Sequence, residues 1–285
     1  MPLIKTSIIV PAFNEERIIE KVIADLKKYL NEACEIIVVN DGSTDRTKEL
    51  LERIPDIKIV NHSRNRGYGA ALKSGIKKSQ GEYVLIIDAD GSYPTESISE
   101  LISQIDSYDM VVGARIKPQS QIPALRRPTK WVLNCLANYL TGTKIPDLNS
   151  GLRIIKKDVL RRFIRFLPDG FSFTTTITLA LLTNNYQVKY LPIDYYKRRG
   201  KSKIRPVRDT LNFFQLIIKA VLYFSPLKVF IPLSLIVFTI ALIIVVISVL
   251  FTPQFADTTV VILFATALQT FFFGLLAEII VHNKN

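Results

Sequence analysis

The chain is poor in the residues that build metal clusters and nucleophilic sites, with two cysteines and two histidines among 285 residues. Cys34 and Cys135 are isolated, which excludes a zinc cluster and indicates reduced, cytosolic thiols. His62 and His282 belong to no ligand or catalytic pattern, so we interpret both as incidental. Acidic residues number 25 against 37 lysines and arginines, yet no nucleic-acid motif accompanies this net charge of +12. We also expect no signal peptide, because a strand begins almost at the first residue.

Four apolar runs alternate with helical patterns over the first 90 or so residues, at residues 6–10, 35–39, 57–60 and 83–87. Such alternation predicts an α/β domain with a mostly parallel sheet and right-handed crossovers. Each run ends in polar residues or glycine, so the following loops should meet at one edge of the sheet.

Two carboxylates separated by one residue, Asp88 and Asp90, follow the fourth apolar run. A buried parallel strand that ends in this way can direct both acids into the crevice where open α/β sheets bind ligands. Hard cations bind one or two carboxylates together with phosphate oxygens, so the pair could hold a metal that carries a nucleotide diphosphate. A solvated turn rich in Asp and Gly is the alternative.

Three further loops should meet the nucleotide at the same edge. We expect Asn14 and Asp41 to contact its base or ribose and the glycines at 67–69 to allow a close approach of the backbone. Asp41 could instead cap the helix that follows it, a role that aspartate fills well.

Four segments together carry a resemblance to a known family: Pro-Ala-Phe-Asn-Glu-Glu at 11–16, Val-Asn-Asp-Gly-Ser-Thr-Asp at 39–45, Asn-Arg-Gly-Tyr-Gly-Ala-Ala at 65–71 and Asp-Ala-Asp at 88–90. They resemble the inverting family 2 glycosyltransferases with a GT-A fold. The segments at 113–115, 149–153 and 198–203 are similar to those of the dolichol-phosphate mannose and glucose synthases, which load a sugar onto a polyprenyl phosphate. The resemblance covers roughly residues 5–205.

The resemblance implies roles for individual residues. The metal, Mg²⁺ or Mn²⁺, would be held by Asp90, with Asp88 and Ser92 as candidate further ligands; Ser92 stands where the mannose synthases usually have glutamine. The donor nucleotide would be bound by Pro11, Asn14, Glu15, Asp41, Gly67, Asp88, Ala89, Arg199, Lys201 and Lys203. Membrane anchoring alone is the other interpretation of the two lysines.

The sequence contains no Glu-Asp dipeptide, the pair from which hydroxyl-directed relatives often present a general base. A phosphomonoester is largely a dianion at neutral pH, so a polyprenyl phosphate can attack without a base. It needs cations, and we expect Arg115, Arg127 and Arg153 to clamp it. Two alternatives stay open: a transferase acting on a sugar hydroxyl or polysaccharide, and a non-catalytic nucleotide-sugar sensor.

The C-terminal third indicates a membrane protein. Two apolar runs, at about 227–251 and 260–280, are each long enough to cross a bilayer. Seven lysines or arginines lie between residues 197 and 208, whereas the connector at 252–259 has none, so the positive-inside rule places the catalytic domain in the cytoplasm. We therefore expect a transferase domain at 1–205, an interfacial amphipathic helix at 206–226 and a membrane domain at 227–285. The pattern at 125–140 fits either a second interfacial helix or an ordinary packed one.

Overall fold

The structure is a computed structural model that describes residues 5–30, 32–116, 127–196, 226–251 and 257–282. It divides into two compact units, Met1–Phe214 and Gln215–Asn285. The predicted interfacial helix at 206–226 lies almost entirely outside the described residues.

The first unit is built on a seven-stranded sheet in the order β3-β2-β1-β4-β6-β5-β7. Strand β6 runs antiparallel to its neighbours β4 and β5, and the other neighbouring pairs are parallel, as the sequence predicted for the first four strands. The strands are β1 (Thr6–Ala12), β2 (Cys34–Asn40), β3 (Lys58–Asn61), β4 (Tyr83–Ile86), β5 (Met110–Ala114), β6 (Arg153–Lys156) and β7 (Val188–Pro192).

Helices cover both faces of this sheet. The side chains of a strand alternate between its two faces, so a strand that is apolar throughout needs a helix on each face. Ile8 and Val10 of β1 join the core beneath α1, whereas Ile9 faces α3, where Gly75 packs against it. The helices of the unit are α1 (Ile19–Tyr29), α2 (Thr47–Glu52), α3 (Tyr68–Lys78), α4 (Ile98–Gln104), α5 (Arg127–Thr141), α6 (Lys157–Phe163) and α7 (Phe173–Thr183).

The order of the strands creates a switch point between β1 and β4. From β1 the chain adds β2 and β3 on one side and then returns to place β4 on the other. The loops that leave β1 and β4 therefore diverge and open a crevice beyond the carboxyl ends of the strands, where such sheets bind ligands. Because β4 and β5 are both antiparallel to β6, the loop after β5 reaches the same edge.

The sequence patterns did not predict strands β5 to β7 or the central position of α7. Helix α7 is buried from Phe173 through Leu181 and contacts α5 and α6. Helix α5 buries Ala137 and Leu140 and leaves Tyr139 58% exposed. Its later turns thus behave as an ordinary packed helix with one exposed face.

A buried polar cluster lies at the opposite edge of the sheet, where strands β1 and β2 begin. Glu35, only 8% exposed, accepts hydrogen bonds from Ser7 Oγ at 2.5 Å, Gln80 N at 2.6 Å and Lys58 Nζ at 2.6 Å. Burial raises the pKa of Glu35, but these donors outweigh it, so the pKa is lowered overall. The carboxylate therefore stays ionised in the folded chain.

The second unit is a hairpin of two long apolar helices, α8 (Leu227–Phe251) and α9 (Asp257–His282). They cross closely at Gly274, where an added Cβ would lie 2.5 Å from Cβ of Phe230. Glu278 of α9 accepts a hydrogen bond from the Leu227 N–H, which begins α8, at 3.2 Å. By length and composition, residues Leu227–Leu250 and Thr258–Val281 could each cross a membrane.

Candidate active site

Side-chain hydrogen bonds join the loop after β1 to the loop after β2. Asn14 adopts a left-handed backbone conformation, with φ at 55°, and its N–H donates to Ser43 Oγ at 3.0 Å. The Asn14 side chain accepts from Thr44 N at 2.8 Å and donates to Thr44 Oγ1 at 3.2 Å. Glu15 N donates to Thr47 Oγ1 at 2.9 Å. Asn14, expected to contact the nucleotide, therefore fixes the shape of this wall through its side chain.

Asp41 holds the loop before α3 rather than capping the next helix. Its carboxylate accepts from Arg66 N at 2.9 Å and from Gly67 N at 2.8 Å, and it lies 2.6 Å from His62 Nδ1. Helix α2 begins at Thr47, and the side chain that accepts from its first N–H is that of Asp45, at 3.0 Å. Asp41 therefore shapes the segment that carries Gly67 and Gly69, which we call the glycine loop, and the capping alternative is replaced.

Glycine is required in that loop because another backbone segment lies against it. Gly67 has a φ of 104°, and a Cβ there would lie 2.6 Å from the Asp169 carbonyl oxygen. A Cβ on Gly69 would lie 2.1 Å from the Pro168 carbonyl oxygen, and Ala70 N donates to Asp169 O at 3.0 Å. The glycine loop therefore rests on the loop between α6 and α7, and a side chain at either glycine would push the two apart.

The Asp88 carboxylate lies between a phenol and a glycine. Tyr68 donates its hydroxyl to Asp88 Oδ1 at 2.8 Å. Burial, and next the charge of Asp88, raise the pKa of Tyr68 well above its ordinary value, so this phenol remains a donor. A Cβ on Gly151 would lie 2.3 Å from Asp88 Oδ2, which makes glycine necessary there. Tyr68 also stacks on Phe171, with ring centroids 5.8 Å apart.

Asp90 is 7% exposed and is no solvated turn residue. Its Oδ1 accepts from Ser92 N at 3.0 Å and from Ser92 Oγ at 2.5 Å. Two carboxylates and a hydroxyl form the hard oxygen set that Mg²⁺ and Mn²⁺ bind. Within the described ranges no three His, Cys, Asp or Glu side chains converge on one point. The residues present fit a metal whose other ligands are diphosphate oxygens and water.

Arg115 follows β5 and is fixed in one orientation. Its Nε donates to Asp147 Oδ2 at 2.7 Å, its Nη2 to Asp147 Oδ1 at 2.8 Å and its backbone N to Oδ2 at 3.0 Å. The guanidinium lies over the Tyr195 ring, 5.2 Å from its centroid, and Tyr195 packs edge-on against Tyr93. Tyr93 in turn accepts from Gly151 N at 2.6 Å. This series of contacts links Arg115 to Asp88.

Arg153 takes a different position from the one expected of an acceptor clamp. It is 0% exposed, and its guanidinium donates to Ser150 O at 2.5 Å, Thr174 O at 2.9 Å and Thr178 Oγ1 at 2.9 Å. Its side chain therefore joins β6 to α7 inside the protein. With its donors directed at these protein oxygens, Arg153 supports the site from beneath and does not face an acceptor.

The remaining expected site residues fall into two groups. Pro11 is the second-last residue of β1, and Ala89 lies three residues after the end of β4. Arg127 begins α5, but its side chain lies outside the described residues, as do Arg199, Lys201 and Lys203 entirely. Sequence reasoning missed Tyr68, His62 and Asp147. They are distant in sequence from Asp88, Asp41 and Arg115, respectively, but form hydrogen bonds with them.

A cavity of about 540 Å³ lies beside the acidic turn and is lined by Asp88, Gly91, Tyr93 and Glu96. Tyr196, the last described residue of this unit, borders it as well. Its N–H donates to Ser92 O at 2.9 Å and its hydroxyl to Glu96 Oε1 at 3.0 Å. The chain after β7 is thus fastened directly beside Asp90.

The mostly parallel sheet, with paired carboxylates at its switch point, is a GT-A-like fold. Residues 7–164, more than half of the chain, match the model of glycosyl transferase family 2, and the chain belongs to that family. Residues 225–282 match a second model, the GtrB C-terminal hairpin. The protein is therefore a glycosyltransferase, and it is similar to the polyprenyl-phosphate sugar synthases of that family.

Two curated relatives and one solved structure illustrate the similarity. The chain is 29% identical over 202 residues to the dolichyl-phosphate hexose transferase of Haloferax volcanii, covering 70% of this chain and 86% of that protein. It is 26% identical over 279 residues to the undecaprenyl-phosphate 4-deoxy-4-formamido-L-arabinose transferase of Salmonella choleraesuis, covering 93% and 83%. Glucosyl-3-phosphoglycerate synthase from Mycobacterium tuberculosis, solved with Mn²⁺, UDP and phosphoglyceric acid, aligns with a TM-score of 0.61 at 19% identity, over 76% of this chain and 78% of that one. At this identity the last likeness shows the fold alone.

Proposed function

We propose that the protein transfers a hexose from a UDP- or GDP-sugar to a polyprenyl or dolichyl phosphate, with inversion at the anomeric carbon. The product is a lipid-linked monosaccharide, made at the cytoplasmic face of a membrane. The names of the two relatives support a polyprenyl-phosphate acceptor. The basic run at 197–208, just before the apolar helices, supports the cytoplasmic side.

The observation that carries the proposal is the environment of Arg115, where the described residues pair this cation with a buried carboxylate, Asp147, and do not present that carboxylate as a general base. Helix α7 has no acid in its first turn, where it begins Phe-Thr-Thr-Thr. Asp147 is 1% exposed, and both its oxygens accept hydrogen bonds from Arg115. A carboxylate paired with a guanidinium is a poor base, because the cation favours its ionised form. A phosphate acceptor needs no base and is attracted by Arg115.

Asp90 is the residue that we expect to hold a divalent ion, Mg²⁺ or Mn²⁺, with Asp88 and Ser92 as candidate further ligands. Such an ion would supply positive charge to the departing nucleoside diphosphate. Asp88, fixed by Tyr68, would accept a hydrogen bond from the nucleotide, and the loops that carry Asn14 and Gly67 would enclose it. Arg115 and Arg127 would hold the acceptor phosphate in line with the anomeric carbon, and this positioning is itself a large part of catalysis.

One assay tests this proposal directly. Purified full-length protein is incubated with radiolabelled UDP- and GDP-sugars, a short polyprenyl phosphate and Mg²⁺ or Mn²⁺. We expect label to partition into organic solvent only when the polyprenyl phosphate is present. Label in water-soluble polymer would instead identify a hydroxyl-directed enzyme, and nucleotide binding without transfer would identify a sensor.

A further inference from the structure

His62 joins three elements of the donor half of the site. It follows directly after β3, and its N–H donates to Asn40 O at 2.9 Å. The imidazole is 5% exposed, with Nδ1 2.6 Å from Asp41 Oδ1 and Nε2 2.8 Å from Ser74 Oγ in α3. Both ring nitrogens are therefore bonded, one to the carboxylate beneath the glycine loop and the other to the helix that the loop begins.

These partners determine where the imidazole proton lies. An ionised carboxylate only accepts hydrogen bonds, so Nδ1 must carry the proton that is shared with Asp41. When the ring is neutral, Nε2 is an acceptor and the Ser74 hydroxyl donates to it. In that tautomer the donors along this series point toward Asp41, which also accepts from Arg66 N and Gly67 N.

The order serine, histidine, aspartate also occurs in hydrolases, but the surroundings of Ser74 do not suit that chemistry. Ser74 lies inside α3, which runs from Tyr68 to Lys78. Backbone N–H groups in the interior of a helix are used in its own hydrogen bonds, so those next to Ser74 cannot stabilise an oxyanion. We therefore interpret the hydrogen bonds that join Ser74, His62 and Asp41 as structural.

We propose that His62 is a positioning residue for the donor nucleotide. As the Nδ1-protonated imidazole, it holds the Asp41 carboxylate in the orientation that fixes the glycine loop. The inference rests on the proposed function, because it assumes that this loop encloses the nucleotide. Without the imidazole, Asp41 would lose one of three donors in a nearly closed site, and the glycine loop would lose its fixed anchor.

The first test uses the fact that His62 and His282 are the only histidines. Full-length protein in detergent, with ¹⁵N-labelled histidine, should show two imidazoles, which the His62→Gln and His282→Gln variants assign. We expect His62 to be the Nδ1-protonated tautomer, and we expect UDP or GDP to shift its signals while those of His282 stay in place. An Nε2-protonated His62 would overturn the proposal, as would unshifted signals with a nucleotide that calorimetry shows to be bound.

The second test compares two conservative variants. His62→Asn places an amide donor near Nδ1 and should keep the hold on Asp41, whereas His62→Gln extends toward Ser74 and loses it. We expect His62→Gln to raise the KM for the nucleotide sugar about tenfold or more, His62→Asn to stay within about threefold, and the KM for polyprenyl phosphate to stay unchanged in both. His282→Gln is the matched control. Equal donor KM values in the two His62 variants, or parallel changes in both KM values, would contradict a positioning role.

The two proposals fail in different ways. If wild-type protein makes no lipid-linked sugar, the proposed function falls, while the tautomer and the nucleotide-induced shift still decide the role of His62. If the product forms, but nucleotide leaves the His62 signals unshifted and the His62 variants keep the wild-type donor KM, only the positioning role falls.

Discussion

Replacing Asp90 with asparagine separates the charge of this residue from its shape. In the structure Oδ1 of Asp90 accepts from both the N–H and the hydroxyl of Ser92. An asparagine oxygen can accept the same two hydrogen bonds in nearly the same volume, so we expect the free energy of unfolding to change by less than about 1 kcal/mol. The lost charge should lower transfer by at least about 10²-fold, the usual cost of removing a group that stabilises developing charge.

Transfer of labelled sugar to polyprenyl phosphate is measured at limiting Mg²⁺ or Mn²⁺, with thermal unfolding on the same preparations. Asp106→Asn is the matched control, because Asp106 is an exposed carboxylate that bonds Tyr83 and Lys5 beside β4, away from the crevice. Its turnover should stay within about twofold of wild type, as is usual for surface substitutions. Near wild-type turnover of Asp90→Asn at limiting metal would refute the assignment of the metal to this carboxylate.

Three further outcomes are expected. Arg127→Ala should raise the KM for polyprenyl phosphate and Lys201→Ala the donor KM, each roughly ten- to a hundredfold; equal effects on both substrates would end this division of roles. Because the pKa of Glu35 is lowered in the fold, its contribution to stability is present above an unfolded pKa of about 4.3 and is lost as the pH falls through the folded value. Glu35→Gln should therefore flatten the acid side of the unfolding profile, whereas an unchanged slope would exclude this origin. A cysteine at position 257 should react with an impermeant label only from the face opposite the catalytic domain; labelling from the same face would disprove the two-span topology.

The part of the crevice built by β1 to β4 followed from local sequence, and the part built by β5 to β7 did not. Strands β1 to β4 alternate with helices along the chain, so the pattern alone brought Asp41, Gly67 and Asp88 to one edge. Strand β6 pairs with β4 across separations of 67 to 73 residues and reverses direction, and no local signal records such a pairing. A motif can identify Arg153 but cannot tell whether its guanidinium points inward or outward, because the answer depends on Thr174 and Thr178 of α7.

His62 also shows that local sequence does not reveal long-range contacts. Its partners lie 21 residues before it and 12 residues after it, so a histidine without a neighbouring pattern proved to be doubly bonded in the fold. Tyr68 likewise reaches Asp88 over 20 residues. Such contacts depend on which strands are adjacent, and the spacing of residues along the chain does not state this.

The hydrogen bonds that join the loops around Asn14, Asp41 and Gly67 have a thermodynamic consequence for ligand capture. Ordering a free backbone residue costs about 1–2 kcal/mol in conformational entropy. These loops are already tied to one another and to the segment around Asp169, so that cost is met when the chain folds. A nucleotide that enters such a pre-organised crevice can convert more of its contact energy into affinity, and its association should need little rearrangement of the walls.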